Sequence, residues 1–260
     1  MTPTYEFSGE KYKKASRHQK EWGESLISRL KLGGDERILD LGCGDGALTE
    51  RLASLVPHGR VIGIDASEGM IETAKKCEAE NLKFVRMDIN DMSFENEFDV
   101  IFSNAALHWV KDHKKLLENT YAALKPGGEI LWNFAGDGNC SNFFEVVKEK
   151  MKDERFGKYF ADFEWPWYMP SKIEYERLTE ASGFTEIVAT EENKDRYFAD
   201  ADEMIRWIDQ PSVVPFIGCV PDGLKSAFRE EVIEVMIERT KRPDGTCFET
   251  FRRINVSARK

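Results

Sequence analysis

Apolar residues along the chain fall first at helical spacing and then in short continuous runs. Trp22, Leu26, Ile27 and Leu30 predict an amphipathic helix over 12–32, with Gly33-Gly34 as its stop. The buried run Arg37-Ile38-Leu39-Asp40-Leu41 leads straight into Gly42-Cys43-Gly44-Asp45-Gly46, and Leu48, Leu52, Leu55 and Val56 then return to helical period. This reads as strand, glycine turn and helix. The rhythm continues with a strand over 60–64 ending in Asp65, a helix over 67–79, and a strand over 82–86 ending near Asp88. A strand over 98–102 ends near Asn104, a helix over 112–124 stops at Lys125-Pro126-Gly127-Gly128, and a strand covers 129–134. Strands alternating with helices imply right-handed βαβ units and a parallel sheet, whose ligands bind beyond the carboxyl ends of the strands.

The rhythm breaks twice. The stretch 136–170 is dense in aromatics, Phe143, Phe144, Phe156 and Trp165 among them, and 198–239 predicts two helices around a loop bearing Pro211, Pro215 and Pro221. Between them lie a helix over 173–182, capped by Gly183, and a strand over 184–190; a last strand is expected over 247–258. The expected organisation is one α/β domain over 1–260. Its core comprises 33–135, 171–192 and 246–260, with cap insertions at about 136–170 and 193–245 and a leading helix over 11–32 that covers the site.

Composition narrows the partners. The 260 residues, 41% hydrophobic, suffice for one full core, and a net charge of -10 opposes a phosphate backbone, so nucleic acid is not an expected partner. There is no apolar run long enough to span a membrane and no secretion signal at the start, so a cytoplasmic protein, monomeric or weakly self-associating, is expected. Five cysteines and four histidines show no metal-ligand spacing, and no metal is expected.

Gly42, Gly44 and Gly46 at alternate positions let the backbone turn tightly and approach a ligand. Alone they also satisfy a relaxed dinucleotide fingerprint, with Asp65 placed to hold a ribose, which would suit an NAD enzyme. Asp40 weighs against that. A carboxylate two residues before the first glycine repels a pyrophosphate and attracts an ammonium or sulfonium group. Asp65 then suits ribose hydroxyls and Asp88 an adenine amino group.

The strings Ile38-Leu39-Asp40-Leu41-Gly42-Cys43-Gly44-Asp45-Gly46, Gly63-Ile64-Asp65-Ala66-Ser67 and Leu124-Lys125-Pro126-Gly127-Gly128 resemble the class I S-adenosyl-L-methionine-dependent methyltransferases. The resemblance implies a Rossmann-like, doubly wound seven-stranded sheet, mostly parallel with an antiparallel last strand, plus an inserted helical aromatic cap. It implies S-adenosyl-L-methionine as cofactor and S-adenosyl-L-homocysteine as product. Cofactor contacts are expected from Tyr12, Asp40, Gly42, Cys43 and Gly44, from Asp65, Ala66 and Met70, and from Asp88, Ile89 and Asn104.

Asn104-Ala105-Ala106-Leu107-His108-Trp109, the terminal Phe251-Arg252-Arg253 and the leading helix resemble the subgroup of trans-aconitate and juvenile hormone acid methyltransferases. That resemblance implies a small carboxylic acid as methyl acceptor, held by Gln19 and Trp109; His108, next to Trp109 in the same string, is a further candidate substrate-binding residue. A carboxylate is already an anionic nucleophile at pH 7 and needs no base. Two alternatives stay open: O- or N-methylation of another metabolite with His108 as base, and cofactor binding without catalysis. No cluster of arginines marks a tricarboxylic acid, although folding can bring Arg196, Arg206, Arg252 or Arg253 to the site.

Overall fold

The computed structural model describes residues 17–260, apart from the side chains at 17–19, 210 and 211. It divides into two compact units: 17–137 with 167–192 and 253–260, and 138–166 with 193–252.

The first unit holds the parallel sheet. Helix α1 (Arg17–Ile27) precedes β1 (Arg37–Leu41), α2 (Ala47–Leu55), β2 (Arg60–Asp65), α3 (Glu68–Ala74), β3 (Leu82–Arg86) and β4 (Phe98–Asn104). Then come α4 (His113–Ala123), β5 (Leu124–Ala135), α5 (Lys172–Ala181), β6 (Thr185–Asn193) and β7 (Arg252–Arg259). The seven strands lie in the order β3-β2-β1-β4-β5-β7-β6. Strands β1 to β5 pair in parallel, and β7 runs antiparallel to β5 with Ala135 opposite Arg253. This is the expected seven-stranded architecture, antiparallel last strand included.

Side chains alternate across each strand, so β1 feeds two cores. Ile38 joins Leu52, Val61, Phe84 and Phe102 on one face, while Leu39 and Leu41 join Leu116, Leu117, Trp132 and Tyr175 on the other. Both faces are covered, which is why these strands read as continuous apolar runs. Leading helix α1 docks on α2 through Gly23, where an added Cβ would come 2.2 Å from a Leu48 methyl.

Two boundaries differ from expectation. Strand β5 starts at Leu124 and carries Pro126-Gly127-Gly128 within it, with the register against β4 shifting between Phe98 and Val100. The single strand expected over 247–258 is two. Cys247–Glu249 pairs antiparallel with Arg196–Phe198, and only Arg252–Arg259 enters the main sheet. Between them Phe251 turns aside, donating its N–H to Asp195 (3.1 Å) and accepting from Lys194 N (2.7 Å).

The second unit has an aromatic core of its own: Phe143 packs on Phe216, Phe144 on Trp165 and Phe156 on Phe228. Its helix Ser141–Lys150 is capped by a carboxylate from another strand. Fully buried Glu249 accepts from the backbone N–H groups of Asn142 (3.2 Å) and Phe143 (2.9 Å), an anion on the positive end of the helix. Trp167 and Tyr168, at the end of the aromatic stretch, belong to the first unit.

Candidate functional site

The first unit gathers its polar loops at the carboxyl ends of the parallel strands. After β1 the chain turns through Gly42, Gly44 and Gly46, all at positive φ (72°, 54° and 82°), a conformation that glycine adopts without steric cost. Gly42 and Cys43 both donate to the Ile64 carbonyl (2.8 and 3.0 Å), which ties the turn to β2. Gly42 also abuts the segment after β4, since a Cβ there would come 2.2 Å from that of Ala106. Gly44 is different: nothing lies within 4 Å of where its Cβ would be.

Asp65, at the end of β2, receives the Gly44 N–H on Oδ2 (3.0 Å) and the Ser67 N–H on Oδ1 (2.9 Å). It therefore joins the glycine turn to the start of α3, where Met70 is buried and its N–H is capped by Ser67 (3.4 Å). Ala66 lies between them and accepts from Arg86 Nε (3.3 Å). Asp88 follows β3 and accepts from Asn90 N (2.8 Å), with Ile89 buried behind it. The predicted residues Asp40, Gly42, Cys43, Gly44, Asp65, Ala66, Met70, Asp88, Ile89 and Asn104 thus all lie at or just beyond the carboxyl ends of β1 to β4. Tyr12 and the Gln19 side chain lie outside the described residues.

Asp40 is buried and accepts a hydrogen bond from Thr49 Oγ1 (2.7 Å). Burial, opposed by the Thr49 bond and aided by the Asp65 charge, pushes its carboxyl up to about 7. Burial and these neighbouring carboxylates also raise the Cys43 thiol well above its ordinary range, so Cys43 offers backbone groups and no thiolate. Neighbouring Asp45 is paired with Lys20 of α1 (2.8 Å).

Beyond β4, Ala105 sits at φ 59°, a left-handed conformation unusual for alanine, with its N–H on the Asn133 carbonyl (2.7 Å). That bend sends the chain into a 3₁₀ turn, Leu107–Trp109, carrying two predicted acceptor residues. Trp109 packs obliquely on Trp167, with ring centroids 5.2 Å apart. His108 is partly exposed as a residue, but its Nδ1 is buried and has no hydrogen-bond partner among the described residues. Burial first, then the Arg253 charge and His113, hold the His108 imidazole well below its usual range, so it is neutral at pH 7.

Arg253 is the residue that sequence reasoning left undecided. At the start of β7 it is 4% exposed, donates from Nε (2.9 Å) and Nη2 (2.5 Å) to Asn133 Oδ1, and lies 4.8 Å over the Trp22 ring. Asn133, Trp22 and Trp167 were not among the predicted site residues; Trp22 stands in the leading helix and Trp167 in the aromatic stretch, and no motif marks Asn133. Arg196 and Arg252 instead form ion pairs with Glu203 and Asp195 in the second unit. Among the described residues no group of three or more His, Cys, Asp or Glu is placed to hold a metal ion, and no helix is long and apolar enough to cross a membrane.

Residues 38–128 match a family described as "Methyltransferase domain". An uncharacterized methyltransferase of Schizosaccharomyces pombe is 30% identical over 248 residues, covering 91% of each chain. A trans-aconitate 2-methyltransferase of Rhodococcus jostii is 29% identical over 236 residues, covering 90% of this chain and 91% of the relative. In fold, the chain is similar to Haemonchus contortus phosphoethanolamine N-methyltransferase 2, solved in complex with S-adenosyl-L-methionine. The TM-score is 0.60 at 20% identity, over 97% of this chain and 56% of that one.

Proposed function

This chain belongs to the S-adenosyl-L-methionine-dependent methyltransferase family, and we propose that it methylates a carboxylate oxygen of a small organic acid. The residues at the strand ends fit the cofactor. Open space in front of Gly44, beside the Asp65 carboxylate, suits a ligand with hydroxyls and an ammonium group and no phosphate. Asp40 with the backbone of Gly42, Cys43 and Gly44 would hold the amino-acid end. Asp65, Ala66 and Met70 would hold the ribose and Asp88 and Ile89 the adenine, with Asn104 on the β4 side. When bound, the cofactor supplies an electrophilic methyl group on a sulfonium.

The observation that carries the carboxylate reading is the buried Arg253 guanidinium, whose charge helps to keep His108 neutral. A buried cation favours an anionic acceptor, and a charge-assisted hydrogen bond contributes about 1.5–3 kcal/mol. A histidine held well below its usual range is a weak base for an alcohol or amine. A carboxylate asks for none, since it is ionised at pH 7. The remaining task is alignment of its oxygen with the methyl carbon, for which the Trp109 indole N–H, His108 and, on the family resemblance, Gln19 are the positioning groups. The Rhodococcus relative, named for an acid acceptor, supports the same reading.

The test is a panel of small di- and tricarboxylic acids, trans-aconitate included, beside hydroxyl- and amine-bearing metabolites, with products identified by mass spectrometry. Methyl esters are expected, and His108→Gln is expected to lower turnover by about tenfold as a lost positioning group. A methyl ether or methylamine product, with His108→Gln losing more than a thousandfold, would identify His108 as a base and overturn the reading.

Asp40 makes a second prediction. An ammonium group placed beside its carboxyl lowers the pKa from about 7, so cofactor binding releases a proton near neutrality. Affinity for S-adenosyl-L-homocysteine is expected to rise by up to about tenfold per pH unit from 5.5 and to level off above 7. Asp40→Asn removes that dependence. Titration calorimetry in buffers of different ionisation enthalpy checks it; a pH-independent Kd in the wild type would place the ammonium elsewhere.

A further inference from the structure

We propose that His113 is a positioning residue for the acceptor end of the site, acting through the backbone of Leu107. This rests on the reading that the Leu107–Trp109 turn borders the acceptor. His113 opens α4, directly after that turn, and is 3% exposed. Its Nε2 lies 2.9 Å from the Leu107 carbonyl and its Nδ1 3.0 Å from the Tyr175 hydroxyl. A carbonyl only accepts, so Nε2 carries the proton; Nδ1 is then the acceptor and Tyr175 donates. The geometry admits one neutral tautomer, and burial, which pulls the imidazole down to about 4, keeps it neutral.

The turn needs such a fastening. It is a single 3₁₀ turn, closed by Trp109 N to Ala106 O (3.0 Å) and Val110 N to Leu107 O (2.9 Å), and it follows the left-handed Ala105. Isolated 3₁₀ turns have poor hydrogen-bond geometry and open readily. Two consecutive carbonyls tie this one down: that of Leu107 to His113, and that of His108 to the Tyr168 N–H (2.9 Å). The His113 ring packs against Tyr168, with centroids 4.6 Å apart, and against Phe134 and Tyr175, so it is locked in place while it holds the turn. The side chains carried by the turn, His108 and Trp109, are thereby set by a residue packed into the core.

His113→Phe keeps the ring packing and deletes both hydrogen bonds, whereas His113→Gln can present an N–H to Leu107 and an oxygen to Tyr175. Hydrogen exchange of the Trp109 and Val110 amides, which needs no acceptor, is expected to quicken about tenfold in His113→Phe and to return within about threefold of wild type in His113→Gln. With trans-aconitate as the acceptor, kcat/KM falls at least tenfold in His113→Phe while the Kd for S-adenosyl-L-homocysteine stays within twofold. The nitrogen-15 spectrum of the wild type shows His113 protonated at Nε2. Unchanged amide exchange in His113→Phe, equal losses in the Phe and Gln variants, or an Nδ1-protonated tautomer would overturn the proposal; should His113→Phe not fold, Tyr175→Phe and the tautomer still decide it. If exchange responds but neither Trp109→Phe nor His108→Gln affects turnover, the turn is held as proposed and the acceptor reading is what fails.

Discussion

Gly44→Val is expected to fold and to lose the cofactor, while the smaller change Gly42→Ala is expected to damage the fold. No protein atom lies within 4 Å of the added Cβ at Gly44, so the cost to the protein is that of a left-handed β-branched residue at φ 54°, about 1–2 kcal/mol. The valine methyls instead fill the space beside the Asp65 carboxylate and in front of the glycine turn. A hundredfold or greater loss of S-adenosyl-L-homocysteine affinity follows, about 2.7 kcal/mol or more. At Gly42 a methyl would sit 2.2 Å from the Ala106 Cβ, and φ is 72°. Overpacking and backbone strain together cost about 2–4 kcal/mol, a fall in Tm of roughly 5–12 °C for a chain of this size. Thermal unfolding and titration calorimetry on both variants check the pair. A Gly44→Val protein that binds as well as the wild type would remove the glycine turn from the site.

The second large effect is expected at Arg253. If its guanidinium faces the acceptor carboxylate, Arg253→Met lowers kcat/KM for that acid by about a hundred- to a thousandfold, the range for truncating one partner of a buried charged pair. The Kd for S-adenosyl-L-homocysteine changes by less than about threefold, because the glycine turn and Asp65 are untouched. Arg253→Lys should rescue little. A lysine cannot make the fork that Nε and Nη2 make to Asn133 Oδ1, nor lie as a plane on Trp22. A thermal scan accompanies the kinetics, since Asn133 loses its donors in both variants. A Met variant that is folded, binds cofactor and turns over the acid as fast as the wild type would show that Arg253 serves the sheet edge alone.

Local chemistry made the loops proposed to hold the cofactor legible before folding. Each strand with the loop after it is one continuous segment, so Asp40, Gly42 and Gly44, Asp65, and Asp88 announce themselves beside the apolar run that positions them. The parallel sheet then brings those ends to one side whatever the details of packing. The alternation of strands and helices likewise implied the doubly wound sheet, and the motif strings implied its antiparallel last strand.

Other features needed the tertiary structure. Arg253 stands over a hundred residues from Asn133 and Trp22 in sequence, and the antiparallel pairing that sets it opposite Ala135 brings it to them and its charge to bear on His108. Its neighbour Arg252 has the same local sequence character and pairs with Asp195 instead, because successive side chains of an extended strand point to opposite sides. The split of the expected 247–258 strand has a similar origin: Phe251 turns aside to bonds with Asp195 and Lys194, which no local pattern encodes. Within the helix expected over 112–124, no motif marks His113. Burial against Phe134, Tyr168 and Tyr175 gave it a fixed tautomer, because a buried polar group must find partners and the fold alone determines which ones are in reach.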